Sequence, residues 1–286
     1  MPSSATLFKY LSVALAAVVP VLGATPTIVT RTDGFPSINP VGIPLNSLTD
    51  PAIVARAPAP QTNAERFRRG LNPAKPRALT RRSLHARTSA APCTPHTGII
   101  KTSYLDSEEN TVEGYVVKTF NAWGEYGITE VLDNALFVSF CAPSSPDEAF
   151  DMTILNGQLP IFPNFGFVAG WVNDGDLLGP GSFNYFFTSA TTQSVDLVVG
   201  DNSFNSATGF SEKFRSTVWK LDPTTNQLTL KWINPDGTTV DATFGYVNDV
   251  NAAILATGDL AEVNIHFGSQ YPAVTLTFEE FGYATR

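Results

Sequence analysis

The chain has 286 residues, of which 43% are hydrophobic and 15% charged, with a net charge of −8, two cysteines and three histidines. So few Cys and His exclude a clustered zinc site. The acid excess disfavours phosphate backbones, so neither a nucleic-acid partner nor a cofactor is expected. The charge is unevenly spread: residues 25–90 carry ten basic against three acidic side chains, and residues 91–286 seven against twenty-three. Such a split marks segments with different physical roles.

At the start of the chain Lys9 precedes an apolar run over 11–22 that ends in the small residues Gly23 and Ala24. That is the pattern of a secretory signal peptide over 1–24. No other stretch reaches the roughly 18 apolar residues a membrane helix needs, and the polar segment 279–286 offers no tail for a lipid anchor. Secretion to the extracellular space is the expected localisation, without a membrane anchor.

Residues 25–90 are rich in Pro, Ala, Arg, Thr and Ser and show little apolar periodicity. A segment of this kind is expected to stay disordered, because it buries too little surface to offset its ordering entropy. It carries two dibasic pairs, Arg68-Arg69 and Arg81-Arg82. Processing proteases of the secretory pathway cut after such pairs, since an acidic pocket recognises two adjacent cations on an extended chain. Two fates stay open: a propeptide removed after Arg69 or Arg82, or a retained flexible linker.

From residue 91 to 286 the pattern changes to period two. Candidate strands lie over 99–105, 113–120, 127–132, 136–141, 152–155, 165–172, 183–188, 195–199 and 216–221. Clearer cases are Leu228, Leu230 and Trp232; Val263, Ile265 and Phe267; and Val274, Leu276 and Phe278, each alternating with polar residues. No segment shows a sustained helical period. Asp222-Pro223-Thr224-Thr225-Asn226 and Asn234-Pro235-Asp236-Gly237 read as hairpin turns. Phe186 opposes Tyr185 and Phe187, so one strand is apolar on both faces, as in a two-sheet core or under covering loops. The fold expected is one all-β domain, an antiparallel β-sandwich of jelly-roll or lectin-like kind, with a closed barrel as the other geometry open. Cys93 and Cys141 form one disulfide in an oxidising compartment, and no N-glycosylation sequon occurs.

Several strings are distinctive: Thr62-Asn63-Ala64-Glu65-Arg66-Phe67, Gly114-Tyr115-Val116, Thr119-Phe120-Asn121-Ala122-Trp123-Gly124-Glu125-Tyr126-Gly127, Leu178-Gly179-Pro180-Gly181-Ser182-Phe183-Asn184-Tyr185, Thr217-Val218-Trp219-Lys220-Leu221-Asp222 and Trp232-Ile233-Asn234-Pro235-Asp236-Gly237. Over residues 60–280 the chain resembles a group of uncharacterised secreted proteins from mushroom-forming (basidiomycete) fungi. The resemblance implies the compartment and a fungal source. It implies no activity and no catalytic residues.

The templates for nucleophilic catalysis fail, since there is no Gly-x-Ser-x-Gly elbow and the acidic body holds only His96 and His266. His96 reads as a surface loop residue, and His266 as a solvated strand residue beside Asn264 and Glu262. Asn173, Asp174 and Asp176 put three oxygen-bearing side chains on one Gly-containing loop, a weak calcium candidate that departs from EF-hand spacing. Glycoside hydrolysis needs two carboxylates across a groove. Glu113, Glu125 and Glu130 lie among aromatics, and Glu125 is the first to test. Sugar binding needs exposed aromatic faces with polar neighbours. Trp219 and Trp232 read as core, whereas Trp123, with Glu125 and Tyr126, forms the weak ligand-binding candidate. The function expected is a secreted, non-catalytic, extracellular or cell-wall-associated protein with polysaccharide as partner. The alternative is a secreted carboxylate-dependent glycoside hydrolase.

Overall fold

The structure, a computed structural model, describes residues 34–48, 93, 95–249 and 251–281. The strands among them, in chain order, are β1 (Pro95–Leu105), β2 (Thr111–Phe120), β3 (Tyr126–Thr129), β4 (Phe137–Cys141), β5 (Met152–Ile154), β6 (Asn164–Ala169), β7 (Tyr185–Thr191), β8 (Val198–Val199), β9 (Lys213–Arg215), β10 (Trp219–Leu221), β11 (Gln227–Leu230), β12 (Trp232–Ile233), β13 (Thr239–Val240), β14 (Thr243–Val247), β15 (Ala253–Thr257) and β16 (Ala273–Glu280). Two short helices, α1 (Ser203–Thr208) and α2 (Leu260–Phe267), interrupt them.

The all-β expectation holds, but the sandwich gives way to a barrel. Antiparallel pairing runs β1–β4–β5–β6–β7–β15–β14–β16, and β16 returns to β1 over Gly98–Tyr104, so the eight strands close on themselves. The long strand β1 makes closure possible. One edge of it pairs with β16, while the other pairs first with β4 and then with β2, from which the β2–β3 hairpin branches away. In the same way β16 pairs with both β14 and β11, and the β10–β11 hairpin branches there.

A ring of eight strands leaves an interior that side chains can fill. Here Phe140, Met152, Phe165, Phe167, Phe186, Phe244 and Ile254 join one buried cluster. The expected alternation in β16 is observed, with Val274, Leu276 and Phe278 exposed by 5%, 0% and 3%. Trp219 stacks on Phe165 with ring centroids 5.1 Å apart and donates its indole N–H to the Phe165 carbonyl at 2.7 Å. Trp232 packs 4.2 Å from Phe186, so both tryptophans are core, as expected.

The outer face of β6, β7 and β15 is buried too. Val168, Tyr185, Phe187 and Leu255 form a second cluster with Phe204 of α1, Val263 and Phe267 of α2, and Ile38. This explains why the sandwich expectation failed. A strand apolar on both faces is the signature of a second layer, and that layer is helices and irregular chain rather than another sheet.

Two further corrections follow. Segment 262–267 is helical, not a strand: Asp259 caps it by accepting from the Glu262 amide at 3.1 Å, and Gly268 ends it in the left-handed conformation. Val263 and Phe267 stand four residues apart, a spacing that serves one helix face as well as alternation does, while Ile265 is 68% exposed. Residues 34–48, expected within the disordered basic segment, pack on the body. The signal peptide expected over 1–24, and Arg68, Arg69, Arg81 and Arg82, lie outside the described residues. The disulfide Cys93–Cys141 is present with Cα atoms 5.5 Å apart, beside the Pro95–Cys141 register of β1 and β4. Closing a loop of that length removes about 4 kcal/mol of unfolded-chain entropy. Both hairpin turns form as read, with Asn226 and Gly237 at positive φ.

Candidate functional site

The site begins at the turn that leaves β2. The Asn121 side-chain oxygen accepts from the amides of Trp123 (3.0 Å) and Glu125 (3.1 Å), and the Asn121 amide donates to the Glu125 carbonyl (2.9 Å). Gly124 sits inside this loop at φ 81°, and a Cβ there would collide with the Ser203 carbonyl of α1. Glycine is therefore required both for the left-handed backbone and for the close approach. The turn aims Glu125 inward and leaves Trp123 half-buried at the edge.

Residues 34–48 run across this edge as a strap. The Ile38 carbonyl accepts two hydrogen bonds, from the Trp171 indole (3.1 Å) and the Tyr185 hydroxyl (2.6 Å), and the Pro40 carbonyl accepts one from the Trp123 indole (3.1 Å). Asn39, 0% exposed between them, donates its side-chain amide to the Glu125 carboxyl at 3.0 Å. Farther along, Asn46 bonds to the Ser206 and Ala207 carbonyls at the end of α1, and Leu48 is buried. Phe35 lies over Gly268, where a Cβ would strike its ring.

Glu125 is 0% exposed. One of its oxygens accepts from both Asn39 and Asn121 (2.8 Å), and the other has no partner. Burial pushes its carboxyl up to about 8; the two amide donors oppose the shift and the charge of Asp249 adds to it. At neutral pH it is mostly a neutral acid. Burial, and next the charge of Glu125, holds the Tyr185 phenol well above its ordinary value, so it remains an O–H donor to Ile38.

Beside the strap lies an open groove of about 590 Å³. Val41 and Ile43 of the strap form one wall, and Trp123, Asp249, Asn251 and Gln270 belong to the body side. The Asn251 carbonyl also accepts from the Asn121 amide at 2.6 Å, which ties this wall to the turn that holds Glu125.

Of the ligand-binding candidates, Trp123 and Glu125 thus come together, but under the strap rather than on an open aromatic face. Tyr126 belongs to the barrel interior, 5.4 Å from the Phe165 ring, and is not available to a ligand. Of Asn173, Asp174 and Asp176, two side chains are engaged elsewhere. Asn173 is spent on the backbone of Tyr185 and Asp176 pairs with Lys213, and no group of three or more metal-binding His, Cys, Asp or Glu side chains exists among the described residues. His96 contacts Glu280 at 2.9 Å and His266 stacks on Phe183 at 3.7 Å, both away from the groove. Glu113 and Glu130 are exposed.

Sequence reasoning missed Asn39 and Asn121, and it singled out neither Trp171 nor Tyr185 from the other aromatic residues. A signal for Asn39 was present: residues 34–48 carry no charged side chain inside an otherwise basic segment, and they place Phe35, Ile38, Val41, Ile43, Leu45 and Leu48 there. No family model, no curated protein and no solved structure matches the chain, so what the cleft does rests on its own geometry.

Proposed function

We propose that this is a secreted, non-catalytic extracellular protein that binds wall polysaccharide or similar surface carbohydrate through the groove beside the strap. The observation that carries the reading is the chemistry of that groove: an indole at its edge and amide and carboxyl side chains along its body wall. Sugars are held by an apolar ring face together with polar groups that match their hydroxyls. Secretion belongs to the same reading and draws support from the disulfide, which persists in oxidising compartments.

The test is retention on insoluble chitin and β-glucan. The Asp249→Ala, Gln270→Ala double variant should lose at least tenfold in retention while its circular dichroism is unchanged. Equal retention of the variant, or none by the unmodified protein on any polysaccharide, would remove the proposal.

One observation favours the hydrolase as a second reading: Glu125, a carboxyl held protonated near neutrality, interacts with the charge of Asp249 on the groove wall. Such a pair is the equipment of an acid and a base. The strap separates Glu125 from solvent, so the same assay should show sugar release only if that cover opens, and Glu125→Gln should abolish it.

A further inference from the structure

The strap is read by the body in the manner of a bound peptide. Three side-chain donors of the body, two indoles and a phenol, converge on the carbonyls of Ile38 and Pro40, on either side of a bend at Ile38 and Asn39. Between these carbonyls one polar side chain, Asn39, is completely buried on a carboxyl group. The residue before it, Ile38, enters the outer apolar cluster. The residue after it is a proline, which brings no N–H that would need a partner. Aromatic side chains that donate to the carbonyls of a Pro-containing segment recur in peptide recognition, and the fixed φ of proline leaves such a segment less entropy to lose. The Asn46 amide also donates to the Ala207 carbonyl, a backbone bond between strap and body.

The covalent link is also indirect. Leu48 is the last described residue of the strap and β1 starts at Pro95. Both dibasic pairs, Arg68-Arg69 and Arg81-Arg82, fall between them. A cut at either would leave the strap held by its contacts alone.

We propose that the cleft formed by Trp123, Trp171, Tyr185 and Glu125 is a recognition site for a peptide of the pattern apolar–Asn–Pro, occupied in cis by Ile38-Asn39-Pro40, which a peptide of the same pattern can replace in trans. The apolar position is set by the outer cluster, Asn by its single amide contact with a buried carboxyl, and Pro by the absence of an N–H. The tethered segment competes with any incoming peptide, so the intact chain is self-inhibited. After cleavage the site becomes exchangeable. This does not depend on the carbohydrate reading, since peptide uptake and polysaccharide retention can fail separately.

The experiment uses a fluorescein-labelled synthetic peptide of residues 34–48 and fluorescence anisotropy. The full chain carrying Ile38→Asp and Asn39→Ala cannot seat its own strap and should take up the peptide saturably. The unmodified full chain should bind it at least tenfold more weakly. A peptide with Asn39→Ala should lose at least tenfold on the variant, and a scrambled peptide should not bind. As a second route, the unmodified chain is cut with a dibasic-specific protease, and the cut form should exchange its own segment for the labelled one. A folded variant that ignores the peptide, or that binds the scrambled sequence equally well, would overturn the proposal. So would loss of the barrel's circular dichroism in both the variant and the cut chain, because the segment would then be an integral part of the fold.

Discussion

The inside of the barrel and the outer face beneath the strap are equally dry, yet they are held together differently. The interior is a continuous body of Phe, Trp and aliphatic side chains whose contacts are mostly non-directional, with the Trp219 indole bond to the Phe165 carbonyl as an exception. The outer layer adds a buried Asn, a buried Glu and three aromatic donors whose bonds are specific. An interior of the first kind tolerates no withdrawal of a member without a cavity. A layer of the second kind can be parted along its hydrogen bonds and made again with a matching segment.

The sharpest way to break this contrast is Trp219→Ala. It deletes a ring stacked on Phe165 and the hydrogen bond from that ring to the Phe165 carbonyl, so the expected loss is about 4 kcal/mol in global unfolding by urea. Ile38→Ala should instead increase hydrogen exchange along the strap and leave the barrel midpoint nearly unchanged. If Ile38→Ala lowered that midpoint as far as Trp219→Ala does, the two layers would be one cooperative unit.

The next effect is a pH dependence that only the outer layer should carry. Glu125 has its folded value near 8 against the ordinary 4.5. Below about pH 4.5 the carboxyl is protonated in both states and its burial carries no ionisation penalty. Between the two values the unfolded chain gives up a proton that the folded chain keeps, so stability falls as pH rises, by about 1.4 kcal/mol per unit and about 3 kcal/mol by pH 7. The groups facing it are the amides of Asn39 and Asn121, the Tyr185 phenol and the charge of Asp249. Glu125→Gln should remove the decline between about pH 6 and 8, whereas below about 6 a part should remain from Glu212, whose carboxyl burial pushes up to about 6. Asp249→Asn should end the descending limb at a lower pH and make the total loss smaller, because removing the negative neighbour lowers the carboxyl value and narrows its gap to the unfolded chain; a wild-type midpoint independent of pH from 4.5 to 8 would contradict the buried neutral acid.

How much of this was legible varied with how local the determinant was. Strand β16 and the β10–β11 hairpin were readable because alternation and an Asp-Pro…Asn turn are properties of neighbouring residues. The disulfide was readable because two cysteines leave one pairing. Closure was not, since it depends on β1 meeting β16 across 170 or so residues of chain, which no local pattern records. Strand β15 was missed because its five residues are all buried, so no alternation marks it. The candidate site was half legible. The loop around Trp123 and Glu125 stood out as a string, but its environment was misjudged, because the segment that covers it was averaged into a basic stretch whose charges all lie outside residues 34–48.

The smallest effects test the same outer layer at α2, where alternation misled. In a strand, Val263, Ile265 and Phe267 would share one buried face; in the helix only Val263 and Phe267 do. Val263→Ala should therefore cost about 2 kcal/mol through lost burial. Asp259→Ala removes the cap and should cost about 1 kcal/mol, with some of that from the bond Asp259 also accepts from the Gly181 amide. Ile265→Ala should stay within about 0.5 kcal/mol of the parent, because an exposed helical position gains propensity while losing little contact. Thermal midpoints of the three variants rank them directly. A loss at Ile265 as large as that at Val263 would return the segment to a strand and leave the outer cluster without the helix that helps to position Gly268 beneath the strap.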